Sequence, residues 1–179
     1  MKTLPIVLAA TATLLLSSCA TSGGSTKADS KPETVEVANP IRLALQPVDI
    51  PQELEGCAAP AVFEQTLCNR LFELNKKQVM CADEVKVFIE NKRQGLVLGS
   101  GEDTSMDAVL ASLDAPRHVN LIAAKAGEAV AMTILVQDKA GKTLDRFQMN
   151  LKADGADVFE RANEAAVRIV KIPGEAPKP

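Results

Sequence analysis

The chain changes its hydrophobic period partway along, from a helical repeat to strict alternation. Between residues 61 and 74, apolar side chains recur every three or four positions. That spacing places them on one face of a helix and predicts that the face packs on a core. The four positions are Phe63, Leu67, Leu71 and Leu74. Apolar runs at 41–48 and 78–81 flank this helix, and each predicts a short strand.

Two further helices are predicted before the period changes. One begins at Asp83, where acidic residues suit the positive end of a helix, and ends near Gly95. The other begins at Thr104, has apolar positions as far as Leu113, and is closed by Pro116. Both helices lie between the second predicted strand and the alternating region.

Beyond Pro116 the apolar residues alternate with polar ones, which predicts three strands. Turns at Gly127 and at 138–142 join these strands into an antiparallel meander. A last helix follows, and we expect Asp154 and Asp157 to cap its start. The apolar positions of this helix are Val158, Ala162, Ala165 and Ile169.

The order of elements predicts one α+β domain over 41–172. Its mixed sheet would hold two amino-terminal β-α units, followed by the three-stranded antiparallel meander and a carboxy-terminal helix. Residues 173–179 contain helix breakers and no apolar anchor, which predicts a disordered tail. The segment 19–40 is rich in small and polar residues and is predicted to be a flexible linker.

The first eighteen residues have the composition of an export signal. A positive charge at Lys2 precedes an apolar run that ends at Leu16 and is followed by small residues. The run at 4–16, broken by Pro5, is shorter than the ~20 residues that a membrane span needs. A signal whose small-residue box ends in Cys resembles that of bacterial lipoproteins, which implies a palmitate-type lipid on Cys19. A membrane anchor, or cleavage without lipidation, is the alternative.

The linker limits how far the domain can move from the membrane. Its twenty residues from Ala20 to Asn39 would span ~25 Å as a coil and at most ~70 Å when fully stretched. Ala20 after Cys19 resembles the sorting pattern of outer-membrane lipoproteins. We therefore expect an outer-membrane lipoprotein whose domain faces the periplasm.

Composition excludes several classes of ligand. The formal charge is −3, and removal of residues 1–18 takes away Lys2 and no acid, which makes it −4. This argues against nucleic acid, or an anionic membrane surface, as the main ligand. The chain has no Trp and no Tyr, so aromatic platforms for sugars or bases are poorly supplied.

Few residues in the domain suggest chemistry. Cys57, Cys68 and Cys81 permit one disulfide and one remaining thiol. Their spacing does not match a zinc site, and we expect neither a metal nor a cofactor. A general base at His118 would need a nucleophile and an orienting partner, so we interpret His118, beside Arg117, as a surface residue.

One group of basic residues stands out in the sequence. It lies around the second strand and on the second helix, and is either a solvated face or a patch that docks a partner. Its members are Lys76, Lys77, Lys86, Lys92 and Arg93.

The first half of the domain resembles a family of small periplasmic domains. The stripe Phe63, Leu67 and Leu71, a short strand ending at Cys81, and a helix beginning Asp83-Glu84-Val85 are similar to that family. Its members are the TolB amino-terminal region, the LpoB-type activators of penicillin-binding proteins, and CsgG. In the second half, 120–124 and 136–144 resemble the family's apolar strand and long hairpin, so the resemblance covers 41–172.

The resemblance implies a function without catalysis, because members of the family bind other envelope proteins or assemble. We therefore expect a module for interaction with an envelope or secretion partner and no enzymatic activity. The alternative is a small-molecule binder or enzyme with a pocket that the sequence does not show. The linker looks short for the reach of an LpoB-type activator, and no segment is left over to form a CsgG-type pore.

The resemblance also implies a cysteine pairing. In the family topology the first two strands are parallel neighbours, which brings Cys57 and Cys81 to one edge of the sheet. A Cys57–Cys81 disulfide is therefore expected, with Cys68 as a buried thiol on the first helix.

Lipidation of Cys19 can be tested directly. We expect the tryptic peptide that begins at Cys19 to carry the mass of a lipid, and processing of the chain to stop when cells are treated with globomycin. Replacement of Ser25, which lies in the linker beyond the signal, is the control for general effects on export. An unmodified Cys19 in exported protein would contradict the prediction.

Overall fold

A five-stranded mixed sheet with three helices makes up the part of the chain that the structure describes. A computed structural model describes residues 40–97 and 112–173, with side chains as far as Gln94 in the second helix. The strands are β1 (Leu43–Leu45), β2 (Val79–Met80), β3 (Arg117–Ala126), β4 (Ala129–Asp138) and β5 (Thr143–Lys152). The helices are α1 (Ala59–Leu74), α2 (Ala82–Val97) and α3 (Val158–Lys171), and a 3-10 turn spans Gln52–Leu54. The predicted α+β class with a mixed sheet is confirmed.

The short strand β1 lies inside the sheet, whose order is β2-β1-β3-β4-β5. Leu43 is opposite Val79 on one side and Arg117 on the other, and both pairings are parallel. Strands β3, β4 and β5 form the predicted antiparallel meander. The turns that join them contain Gly127 (φ 63°) and Gly141 (φ 80°), where a positive φ favours glycine.

Strand alternation places one set of apolar side chains toward α1 and α3. These side chains form the main core between the sheet and the two helices. Its members include Phe63, Leu67, Leu71, Val119, Leu121, Met132, Ile134 and Ile169. In α3 the buried face is rich in alanine, at Ala162, Ala165 and Ala166, so its backbone can approach α1 and the sheet closely. A smaller cluster on the opposite face packs α2 against β1 and contains Ala44, Val85, Leu113 and Ala115.

The structure trims some of the predicted elements. The first strand ends at Leu45, two residues before Pro47, which has no N–H to donate to a neighbour. Most of the predicted helix at 104–113 lies outside the described residues, but Leu113 is in a turn and fully buried. Asp157 occupies the predicted N-cap position of α3, but its carboxylate accepts the backbone N–H of Lys152 at 2.9 Å and makes no cap hydrogen bond in the helix.

The cysteine pairing expected from the family resemblance is also wrong. The disulfide joins Cys68 to Cys81, whose Cα atoms are 5.8 Å apart, and Cys57 is the free cysteine among residues 40–97 and 112–173. After β1 the chain continues beside β3, where Asp49 forms a bridge with Ile122, and so it leads away from β2. Cys57 therefore lies near β5, with its sulfur 3.8 Å from the carbonyl oxygen of Ala153. Cys68, on the buried face of α1, is the cysteine that faces the end of β2.

The observed pairing predicts which cysteine contributes to stability. Replacing Cys68 and Cys81 together with alanine should lower the free energy of unfolding by about 3 kcal/mol, because the bridge restrains a loop of about 15 residues in the unfolded chain. Cys57→Ala is the matched control and should have a much smaller effect. Denaturant titration measures both, and alkylation of the unreduced, denatured protein should label Cys57 but not Cys68 or Cys81. Labelling of Cys68 would contradict the assignment.

Candidate functional site

The sheet topology divides the described loops between two ends of the molecule. We call the first the linker end, because residue 40 joins the predicted linker there. Its segments are 40–42, 75–78, 114–117, 138–142 and 171–173. They are connected by hydrogen bonds: the Asn75 side chain donates to the carbonyl of Ile41 at 2.6 Å, and Arg42 pairs with Asp114 at 2.8 Å.

A buried arginine holds the end of α3 at the linker end. Arg117 begins β3 and is 4% exposed. Its Nη1 donates to the carbonyl of Ile172 at 2.9 Å, and its Nη2 donates to that of Pro173. Both carbonyls directly follow α3, so the guanidinium fixes the path of the chain where it leaves the helix. Burial lowers the pKa of Arg117, although an arginine stays charged in proteins.

We call the opposite end the distal end, and it consists of segments 46–58, 124–129 and 152–157. The backbone N–H of Ala123 donates to Asp49 at 2.9 Å, which ties the first segment to β3. The contact of Cys57 with Ala153 ties it to the third segment. Helices α1 and α3 both begin here and run toward the linker end.

The distal end has the most exposed aromatic side chain among the described residues. Phe159, in the first turn of α3, is 75% exposed, and Val62, in the first turn of α1, is 43% exposed. A phenylalanine in water gives up the free energy that its burial would bring, about 1.5–3 kcal/mol. An exposed aromatic side chain on a rigid helix is a candidate contact residue, because aromatic residues often contribute strongly to binding interfaces.

The two exposed apolar residues lie at the starts of α1 and α3, two helices that a side-chain hydrogen bond joins further along. The Arg70 side chain crosses from α1 and donates to Asn163 of α3 at 2.7 Å. Val62 precedes Arg70 and Phe159 precedes Asn163, so both exposed residues lie on the distal side of this contact. The pair Phe159 and Val62 is named the distal apolar patch below.

Acidic residues surround the distal apolar patch. The three distal segments contain six acids and two lysines, and Glu160 follows Phe159 directly. The acids of the segments are Asp49, Glu53, Glu55, Glu128, Asp154 and Asp157. A surface that combines an exposed aromatic ring with an acidic rim fits a partner with an apolar pocket and basic residues around it.

His118 is buried, contrary to the sequence-based interpretation. It is 5% exposed, and its Nε2 donates to the carbonyl of Ala115 at 3.1 Å. Burial lowers the pKa of His118, with a smaller contribution from the positive charge of Lys139. Strand alternation explains the error, because position 118 faces the side of the sheet opposite to Arg117, and both sides are covered there.

The predicted basic patch is divided by the structure. Lys76 and Lys77 lie in the turn between α1 and β2 at the linker end, whereas the other three members are on α2. Lys86 is 3.9 Å from Asp83 and shares a side of α2 with Arg93, since residues seven apart are nearly aligned. Lys92 is exposed about a third of a turn away.

The residues that could have supported a pocket-based function are not brought together. Cys68 is in the disulfide, and His118 is absent from the lining of a depression of about 470 Å³ near β2. That depression is lined by Arg42, Lys77, Gln78, Val79, Met80 and Glu84. Within residues 40–97 and 112–173, no group of three or more His, Cys, Asp or Glu side chains could hold a metal ion, and no helix is long and apolar enough to cross a membrane.

Comparison with known proteins finds distant structural neighbours. No protein-family model matches the chain, and no curated protein matches it in sequence. TolB from Acinetobacter baumannii is 11% identical with a TM-score of 0.42, over 76% of this chain and 30% of the TolB chain. A PelC dodecamer from Paraburkholderia phytofirmans is 13% identical with a TM-score of 0.40, over 79% of this chain and 93% of PelC. These similarities are distant, and none of the inferences below depends on them.

The sequence did not reveal the distal apolar patch. Phe159 is three residues before Ala162 and seven before Ala166, both buried, so the helical repeat places it at the edge of the apolar face of α3. A phenylalanine in that position is expected to be buried. Val62 gave no signal either, since it precedes the core residue Phe63 and is separated from Phe159 by most of the chain.

Burial of His118 predicts how stability depends on pH. The folded-state pKa is below the unfolded value near 6.5, so the unfolded state binds more protons and stability falls as the pH decreases below about 6.5. His118→Gln should remove this dependence, which is at most about 1.4 kcal/mol per pH unit, and keep a donor for Ala115. Urea titrations between about pH 5 and about pH 7.5 measure it.

Lys139→Gln is the control for that experiment. It removes a nearby charge but leaves the buried imidazole, so most of the pH dependence should remain. The prediction would be wrong if the free energy of unfolding changed equally with pH in the wild-type protein and in His118→Gln. His118 would then have the same pKa in the folded and unfolded chain.

Proposed function

We propose that this chain is a lipoprotein of the outer membrane, anchored through Cys19, whose periplasmic α+β domain works as a non-catalytic interaction or assembly module. Its partner is an envelope or secretion protein. The observation that carries the proposal is the position of the distal apolar patch, at the end of the domain opposite the linker. A tethered domain that exposes Phe159 away from its tether presents it to whatever approaches from the periplasm.

The cysteines support an exported location. The bridge between Cys68 and Cys81 connects α1 to the junction of β2 and α2. Disulfides form and persist mainly in oxidising compartments such as the bacterial periplasm. The bridge thus agrees with the export signal at 1–18, and it depends on different residues.

The local structure supports a preformed binding surface. The first turns of α1 and α3 are joined to the sheet by buried residues on either side of the patch, including Phe63 and Val158, each fully buried. A side chain that is already held by a rigid helix loses little conformational entropy when it binds. Aromatic residues in such positions often dominate the binding energy of an interface.

The chemistry of the patch defines the class of partner. Phe159 needs an apolar pocket, and the acidic rim of the distal segments favours basic residues around that pocket. The sequence resemblance to the LpoB-type activators and CsgG implies partners that are envelope proteins. A protein partner therefore fits both the surface and the resemblance.

Crosslinking in cells tests this proposal. A photoactivatable residue at position 163, beside the patch, should crosslink the full-length lipoprotein to a specific envelope protein. Phe159→Ser should reduce the yield and weaken binding to the identified partner at least about ten-fold, as expected for a central aromatic contact. The free energy of unfolding should hardly change, because the side chain is exposed.

Val87→Ser is the matched control, since Val87 is an exposed apolar residue on α2. It removes a similar apolar group from a different surface and should leave the crosslink intact. A domain that crosslinks to nothing, or equal losses for Phe159→Ser and Val87→Ser, would overturn the proposed role of the patch.

A further inference from the structure

The negative net charge of the chain conceals a strong asymmetry between its two ends. The five described segments of the linker end contain seven basic residues and two acids. The basic residues are Arg42, Lys76, Lys77, Arg117, Lys139, Lys142 and Lys171. The three distal segments have the opposite balance, with six acids and two lysines. The domain is therefore a dipole whose positive end is the end where residue 40 joins the linker.

Most of the positive charge at the linker end is available to solvent. All its basic residues are exposed except Arg117. Of the two acids, Asp114 is paired with Arg42 but is itself 94% exposed, so that pair is weak in water. The other, Asp138, accepts the backbone N–H groups of Ala140 and Lys142, each at 2.9 Å, and so is held against its own turn.

The basic residues come from five separate segments that the sheet brings to one end. Arg42 and Lys77 border the same depression beside β2. Lys139 and Lys142 lie in the turn between β4 and β5, whose first residue, Asp138, is opposite Arg117 in the register. Lys171 is in the last turn of α3, next to the carbonyls that Arg117 holds. The charge thus spreads across the width of this end.

We propose that the linker end lies against an anionic phospholipid surface. The inference rests on the proposed anchoring through Cys19, because the twenty residues after that cysteine lead into Pro40 at this end. Opposite charges attract appreciably only within about a Debye length, ~8 Å at physiological salt, and the lipid keeps the domain within reach of its membrane. Contact at the linker end leaves the distal apolar patch pointing away from the membrane.

The distribution of charge thus changes one conclusion from composition. A net charge of −4 argues against an anionic membrane as the main ligand of the whole domain. That argument does not apply to the linker end alone. Salt screens the acids of the distal end, so they do not weaken the attraction between the linker end and an anionic surface. Attraction at the linker end orients a domain that the lipid already holds, and it need not supply the anchoring itself.

Vesicle binding by unlipidated protein tests the surface separately from the anchor. The chain without residues 1–18 and with Cys19→Ser is mixed with phosphatidylcholine vesicles that contain about one third phosphatidylglycerol, or none. We expect binding to the anionic vesicles only, and loss of that binding as NaCl is raised from about 0.05 M to about 0.5 M. Lys77→Gln with Lys142→Gln should weaken it at least about ten-fold.

Lys125→Gln with Lys152→Gln is the matched control, because it removes the same charge from the distal end. It should change vesicle binding less than the linker-end variant by a wide margin, and thermal unfolding should show that both variants are folded. Equal weakening by the two variants, or no preference for anionic vesicles, would overturn the proposal. Selective binding together with an unmodified Cys19 in cells would instead retain the basic surface and reject the anchor.

Discussion

The parallel pairing of β1 between β2 and β3 is the constraint on which the rest of the structure depends. Only three residues form this strand, yet Leu43 is in register with both Val79 and Arg117. Because β3 starts beside the start of β1, the direction of each later element is fixed. Strands β3 and β5 run toward the distal end, and β4 and α3 run toward the linker end. The chain therefore joins the linker and leaves α3 on the same side, where Arg117 binds the carbonyls of the two residues that follow α3.

This constraint gives the domain two chemically different ends. Side chains remote in sequence, such as Lys77, Lys142 and Lys171, meet at the linker end, whereas the loops that follow β1, β3 and β5 collect acids at the other. Phe159 belongs to the acidic end because α3 begins there. In the proposed arrangement, the basic surface would face the membrane and the apolar contact would be directed away from it. Membrane contact and partner binding would then use separate surfaces.

Much of the fold followed from local patterns. The structure confirms the helix predicted from the stripe Phe63, Leu67 and Leu71, and the strands predicted from the alternation in the meander. Burial on one face produces a spacing of three to four residues in a helix and of two residues in a strand. Pairing of cysteines did not follow. The bridge between Cys68 and Cys81 depends on the path of the chain after β1, where Asp49 continues beside β3, and no local pattern specifies that path. The prediction that His118 is a surface residue was wrong for a similar reason. Its burial depends on a neighbouring element that covers that side of the sheet, and only the fold brings that element there.

By itself, the sequence determined the periodic elements and the fold class, and it predicted an export signal at 1–18, because each is encoded in residues that are close together along the chain. The candidate functional surfaces could not be predicted in this way. Val62 and Phe159 are 97 positions apart, and the basic residues of the linker end come from five segments. Each surface therefore exists only once the register of the sheet brings its segments together. Tertiary structure decided these surfaces because charge and exposed apolar area act through distances in space, and sequence order does not record those distances.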